Sequence, residues 1–292
     1  MVEFLGLNLP SPELNLSGIS LRSALDGLCS GAVTQSGGHI SPLHQHVAAR
    51  LVLEGGFRPE WVKPRPGLAS EHIKEEFATL TLDAASANTS EAKIVGGMRT
   101  KDVDVTIASP TLGPVLGVSA KSTANAFRNL TNRAEEAPGD AANIHMMYPG
   151  FSFGFVHCIK FVTVEMAGGD RKNASFENDG TPSQQLCRFH DMLSSLLGRF
   201  HIHDPDAKFE SVALVVYRCP SNPGEKAALY QPYPAKESPL HYSKFYGRLY
   251  QTYDIRFGFR YKAYERRKWE MANPYSLSID SELGSPWEIR VS

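Results

Sequence analysis

The sequence predicts an α/β protein with a mixed central sheet flanked by helices. Three observations carry this reading. Apolar residues alternate with polar ones at 102–108 and 115–121, the signature of half-buried strands. Two nearly continuous apolar runs, "FSFGFVHCIKFVTVEM" at 151–166 and "FESVALVVY" at 209–217, read as buried strands, with a helix the alternative for the first. Between and before them lie stretches of helical periodicity, so the order is helix, strand pair, helix, strand, helix, strand.

Residues 1–40 are rich in Ser, Gly, Leu and Pro and read as an irregular N-terminal arm with room for short helices. "PLHQHVAARLVLEGGF" opens at Pro42 and closes at Gly55–Gly56, which are conventional helix ends. "RPEWVKPRPG" is a proline-punctuated loop, and "SEHIKEEFATLTLDAA" reads as a second helix starting at Ser70 with acids in its first turn. "STANAFRNLTNRAEEA" reads as a helix ended by Pro138–Gly139–Asp140. After the strand at 151–166 come an exposed loop at 168–182 and an amphipathic helix, "SQQLCRFHDMLSSLLGRF". These elements place a single core at 41–222, with a basic and aromatic C-terminal part at 223–292 packed on it.

The chain has 292 residues, 42% hydrophobic and 21% charged, enough for one large or two modest domains with a full core. The N-terminal "MVEFLGLNLPSPELNLSG" has no basic segment leading into an apolar run, and no apolar stretch is long enough to span a bilayer. No membrane partner is therefore expected. Cys29, Cys158, Cys187 and Cys219 are scattered and none forms C-x-x-C, so reduced thiols in a cytoplasmic protein are expected.

The net charge of −1 gives no global signature of polyanion binding. Charge is nevertheless uneven, for residues 241–270 hold eight Lys/Arg against three Asp/Glu with ten aromatics interleaved. Tyr242, Tyr246, Tyr250 and Tyr253 fall on one helix face, a packing pattern. In "DIRFGFRYKAY" a strand would bury Ile255, Phe257, Phe259 and Tyr261 and project Arg256, Arg260 and Lys262. Such a ladder suits a phosphate backbone, and equally a solvated face.

The most informative stretch is "DVDVTIASPTLGPVLGVSAKS" at 102–122. Alternation sends Val103, Val105 and Ile107 to one face and Asp102, Asp104 and Thr106 to the other. On the next strand Val118 and Ala120 face the core, while Ser119 and Lys121 face with the aspartates. Paired as a hairpin, a carboxylate and an ammonium meet on one face. A carboxylate is a hard ligand for Mg²⁺, and a neighbouring lysine can orient a water or balance a phosphate. The plain alternative is a half-exposed hairpin with solvated ions.

The pattern D-x14-S-x-K, from Asp104 to Lys121, resembles the active-site hairpin of the PD-(D/E)XK nuclease superfamily, the restriction-endonuclease-like fold. There a metal-binding Asp begins one strand and a (D/E)-x-K tripeptide lies on the next. The element order is similar to that family's αβββαβ core, over roughly residues 70–220 and most strongly 102–136. Ser119 stands where the second carboxylate belongs. A subgroup that cuts around CCGG cores looks similar, with S-x-K and an acid supplied from the following helix.

The resemblance implies Asp104, ahead of Asp102, and Glu135, with Glu136 beside it, as metal ligands; Glu71, Glu75 and Glu76 are the upstream alternatives. A helix starting at Thr123 would carry Glu135 on the order of 18 Å away, so it must start later or fold back. Lys121 would position the attacking water, with Ser119 supporting a ligand. The activity implied is Mg²⁺-dependent hydrolysis of double-stranded DNA, by a type II restriction endonuclease or related phage-defence nuclease. A homodimer or homotetramer would cut both strands, and Arg128 and Arg133 join Arg256, Arg260 and Lys262 as DNA-contact candidates.

A different class is a catalytically inactive nucleic-acid-binding protein of the same fold, for which Ser119 speaks. A third is a metallohydrolase using His190, His201, His203, Asp204 and Asp206, although "HIHDPDAKF" lacks H-x-H-x-D-H and reads as a polar loop. Ser119 and Lys121 as a nucleophilic pair lack a nucleophile elbow, and no phosphate-cradling glycine loop is present.

Overall fold

The computed structural model describes residues 2–4, 7–9, 20–30, 37–71, 77–82, 84–123, 127, 130–222, 224–259, 264–270 and 290. In chain order, β1 (Val2–Phe4) and β2 (Leu7–Leu9) form a small antiparallel ribbon. Two helices follow, α1 (Leu21–Ser30) and α2 (Ser41–Leu53). Then come β3 (Val62–Lys63), β4 (Leu68–Glu71), β5 (Phe77–Leu82), β6 (Ala92–Val95), β7 (Thr100–Val103), β8 (Val105–Ser109) and β9 (Gly113–Thr123). The second half runs α3 (Leu130–Met147), β10 (Ser152–Lys160), α4 (Gln184–Leu196), β11 (Ser211–Arg218), β12 (Ala228–Leu229), α5 (Phe245–Tyr253) and β13 (Lys268–Glu270).

The main sheet is mixed, in the order β12-β11-β10-β9-β8-β3. Strands β9, β10 and β11 are parallel, whereas β8, β3 and β12 each run antiparallel to the neighbour before them toward the edge. Parallel neighbours need long crossovers, and α3 and α4 supply them. Both faces are covered, which is why the parallel strands read as apolar runs. One face packs Val105, Ile107, Val118, Ala120, Val156 and Val215 with residues of α1, α2 and α5. The other packs Phe153, Phe155, Leu214 and Val216 with residues of α3 and α4. Gly154 lets α5 approach, because a Cβ there would lie 2.6 Å from the Phe245 ring. As the tyrosine spacing implies, Tyr242, Tyr246, Tyr250 and Tyr253 are all buried.

Several local expectations are corrected. The described residues of the expected helix at 70–85 are not α-helical: β4 and β5 pair with each other and β5 with β13. The alternating, threonine-bearing "FATLTL" outweighs the acids before it. Helix α3 continues through Pro138 instead of ending there. Ala141 and Ile144, buried in the second core, hold the helix beyond it. Of the two alternatives for the N-terminal stretch, residues 21–30 take the short helix, and Leu21, Ala24, Leu25 and Leu28 of α1 belong to the main core. Cys29 and Cys219 are joined in a disulfide with Cα atoms 5.5 Å apart, so these two are not reduced thiols. That removes the cysteine argument for a reducing compartment. Cys158 and Cys187 are free. Among the described residues no helix is long and apolar enough to cross a membrane.

The expected cationic strand is also corrected. Residues Asp254–Gly258 are a wide helical turn closed by Phe259 N–H donating to Asp254 O at 2.9 Å. Ile255 and Phe259 are exposed, not buried. The cause is Arg256, whose Nη1 donates to Glu210 at 2.7 Å and to Phe151 O at 2.9 Å. Fully buried Glu210 also meets Arg199 at 2.9 Å and His145 at 3.4 Å, and accepts from Phe153 N–H at 2.8 Å. Burial raises this carboxyl, but the bonds from His145, Arg256 and Phe153 outweigh it and hold the group below its usual range. Its stabilisation is therefore complete above the unfolded carboxylate range and lost as pH falls through the folded value. Glu210→Ala, which strands buried cations, is expected to cost about 3–5 kcal/mol in urea unfolding at neutral pH. The variant's midpoint is expected to vary less with acid than the wild type's.

Candidate metal centre

Asp104 occupies a break, since β7 ends at Val103 and β8 begins at Val105. The register Val105↔Val118 brings it beside Ser119 and Ala120 of β9. Its Oδ2 accepts from Ala120 N–H at 2.7 Å and from the Ser119 hydroxyl at 2.9 Å. Lys121 Nζ lies 3.2 and 3.4 Å from the two carboxylate oxygens. Asp104 is buried, while Lys121 is partly open to solvent. Ser119 is thus a donor to the carboxylate.

Two further groups converge there. His44, in the first turn of α2, places Nε2 3.9 Å from Asp104 Oδ1 and Nδ1 3.7 Å from Glu91 Oε1. The helix is fixed by Leu43, Val47 and Leu51, which pack in the core with Val105 and Val118. His44 is buried, and its Nε2 has no hydrogen-bond partner. Burial outweighs the Asp104 carboxylate and holds this imidazole below its ordinary value, so it is neutral at neutral pH. Glu91 is raised, first by partial burial and then by Asp104. One ligand atom from each of His44, Glu91 and Asp104 lies within 4.8 Å of the others. A neutral imidazole and two carboxylates around an unpartnered nitrogen fit a divalent cation.

Glu91 and Asp104 are the two feet of one hairpin. β6 and β7 pair antiparallel, with Ala92 opposite Val103. The turn is gripped from α3: Asn143 Oδ1 accepts from Met98 N–H at 2.8 Å and Arg99 N–H at 3.0 Å. Asn143 Nδ2 donates to Arg99 O at 2.9 Å. Gly96 is required there, because a Cβ would lie 2.2 Å from Asn143. Asp140 pairs with Arg99 at 3.1 Å and with Lys101 at 2.6 Å. The ribbon is therefore held at its turn by α3 and at its Asp104 foot by β9.

Of the residues singled out in the sequence, Asp104, Ser119 and Lys121 come together. Asp102 lies opposite Lys93 on the exposed face of β7, outside the cluster. Helix α3 starts at Leu130, later than Thr123, yet Glu135 and Glu136 are exposed on it and neither joins the cluster. Glu71 ends β4, paired with Thr79. Glu75, Glu76, Arg128, Arg260 and Lys262 lie outside the described residues, and of Arg133 only the backbone, in α3, is described. Arg256 is committed to Glu210.

The histidine loop holds no metal cluster among the described residues. Asp204 accepts from Phe200 and His201 N–H at 2.8 Å each, and Asp206 pairs with Arg199. His201 and His203 instead border an open cavity of about 360 Å³ with Phe200, Ile202 and Phe257. His190 bonds Ser238 at 2.8 Å.

His44 and Glu91 escaped the sequence reading. His44 shares its helix with His46, which bonds Tyr242, so the pair reads as core histidines. Glu91 sits in the polar "NTSEAK", where no periodicity marks it. Comparisons with protein-family models, curated proteins and solved structures return no match.

If the Asn143 clamp sets the ribbon, Asn143→Ala should lose roughly 1–3 kcal/mol of stability in urea unfolding. Amide exchange at Met98 and Arg99 should accelerate more than that at β9.

Proposed function

We propose that the protein is a divalent-metal-dependent endodeoxyribonuclease of the restriction-endonuclease-like type. The observation that carries the reading is the convergence of Asp104, Lys121, Glu91 and His44 at one end of the β8–β9 hairpin. The succession α2, β3, β8, β9, α3, β10 supports it, since it follows an αβββαβ order with β4–β7 inserted. In this reading Glu91 and His44 supply what Ser119 does not, in place of Glu135. Asp104, Glu91 and His44 would hold the cation, which would supply charge stabilisation at a phosphodiester. Lys121 presents an ammonium toward solvent from beside Asp104, placed to meet an anionic phosphate or orient a water. Ser119 and Ala120 N–H fix the Asp104 carboxylate.

The imidazole among the donors refines the metal. Mg²⁺ favours all-oxygen shells, whereas Mn²⁺ accepts mixed nitrogen and oxygen donors. Mg²⁺ should serve, with Mn²⁺ active at lower concentration. Double-stranded DNA is the proposed substrate, and a homodimer or homotetramer would place one site on each strand. An inactive binding protein is the less favoured reading, because the position left by Ser119 has substitute donors nearby.

Purified protein is expected to nick and linearise supercoiled plasmid with Mn²⁺ or Mg²⁺ and not with EDTA. Lys121→Ala and Asp104→Asn should each lower the rate by about 10²-fold or more, the scale for losing a key charge-stabilising group. Glu91→Gln should do likewise and Glu135→Gln should not. Wild-type protein without nicking activity under any of these metals would refute the reading. The opposite result for the two glutamates would return the ligand role to Glu135.

A further inference from the structure

The C-terminal ends of β9, β10 and β11 gather on the side of the sheet where Lys121 lies, and Arg218 is the last residue of β11. It is exposed. Its guanidinium carbon sits 4.1 Å from the centroid of the Phe161 ring and 4.6 Å from that of Tyr230. Those rings are themselves fixed: Phe161 stacks on Phe176 at 4.6 Å, and Tyr230 packs edge-on against Phe176 at 5.0 Å. Among the described residues no carboxylate pairs with Arg218 and no acceptor takes a hydrogen bond from it. The acids of the adjoining loop are engaged elsewhere. Glu177 pairs with Arg171 at 2.9 Å, and Asp179 accepts from Thr181 N–H and Oγ1 at 2.9 and 2.7 Å.

An arginine in this state is unusual for a surface cation. Most exposed arginines lose rotamer freedom when they bind, whereas here two aromatic faces already hold the stem and guanidinium. The N–H edge is left without a protein acceptor, and that edge matches two oxygens of a phosphate.

The register locates it relative to the candidate centre. Lys121 is opposite His157, which is opposite Leu214, and Leu214, Val216 and Arg218 alternate onto one face. Arg218 is therefore on the Lys121 face, two strands across and four residues further along. From strand spacing and rise, the two Cα atoms are about 16 Å apart. At 3.4 Å per base pair that is about five base pairs along a duplex.

We propose that Arg218 is a preorganised phosphate clamp, holding the DNA backbone about five base pairs from the bond that faces Lys121. The inference rests on the nuclease reading and adds a binding residue to it. Arg218 is outside the metal cluster, so its loss should weaken DNA binding without removing the chemistry.

The test is fluorescence anisotropy of a labelled duplex with Ca²⁺, over a salt series, using the full chain. Arg218→Gln keeps most of the stem over the rings and removes the charge. It should raise Kd about tenfold and lower the slope of log affinity against log salt by about one. Plasmid nicking below saturation should fall by the same factor as the affinity. Arg218→Lys, which keeps the charge, should hold the wild-type slope, and Arg218→Met, which also removes the charge while keeping an apolar stem, decides the question if the Gln variant misfolds. Wild-type Kd and slope in Arg218→Gln, or a slope lost equally in Arg218→Lys, would overturn the clamp and leave the nuclease reading standing. A wild type that binds no duplex would overturn both.

Discussion

A buried carboxylate pinned to the edge of a neighbouring strand is the constraint on which the site depends. Asp104 is withdrawn from water, a costly placement unless its oxygens are satisfied. Ala120 N–H, the Ser119 hydroxyl and the Lys121 ammonium satisfy it. The backbone donor is available only because β7 and β8 part company at Asp104, so the carboxylate reaches β9 where a continuous ladder would have turned it away. The same break lets the β6–β7 ribbon depart from the main sheet toward α3 and return Glu91 to the carboxylate it started from.

The support behind this arrangement is uneven in kind. On one face, α2 carries His44 and is anchored further along by Arg50. Its guanidinium lies 4.0 Å from the Tyr246 ring of α5 and bonds Glu54 at 2.9 Å. On the other face, α3 holds the ribbon by polar groups, Asn143 and Asp140, and by a shared apolar core in which Ile94 and Val103 lie with Ala137, Ala141 and Ile144. Hydrophobic packing thus positions the imidazole, directed hydrogen bonds position the Asp104 carboxylate, and both together position the ribbon that carries Glu91. Directed bonds set separations more sharply than packing does.

What was legible in the sequence followed from local periodicity. The alternation put Ser119 and Lys121 on the face that Asp104 joins, but it did not show the break at Asp104, which sends Val103 to the second core, Val105 to the first, and Asp102 away from the cluster. The apolar runs gave β10 and β11 because strands covered on both sides leave no polar positions. Legibility ended where distant segments decide the outcome. Glu91 matters because a ribbon folds back, and no residue near it in the chain says so. Residues 77–82 look helical only if the acids before them are given more weight than β-sheet pairing partners that lie far away, β13 among them. Arg256 reads as a free cation until Glu210, from another strand, claims it. The Cys29–Cys219 bridge joins segments separated by 190 residues, a pairing that spacing alone does not announce.

The most direct measurement is calorimetric titration of Mn²⁺ into the DNA-free protein. The account predicts one ion per chain in the wild type and in Glu135→Gln, with binding lost or weakened at least tenfold in Asp104→Asn and His44→Ala. Binding that survives both of those substitutions unchanged, or a wild type that takes up no ion, would contradict it.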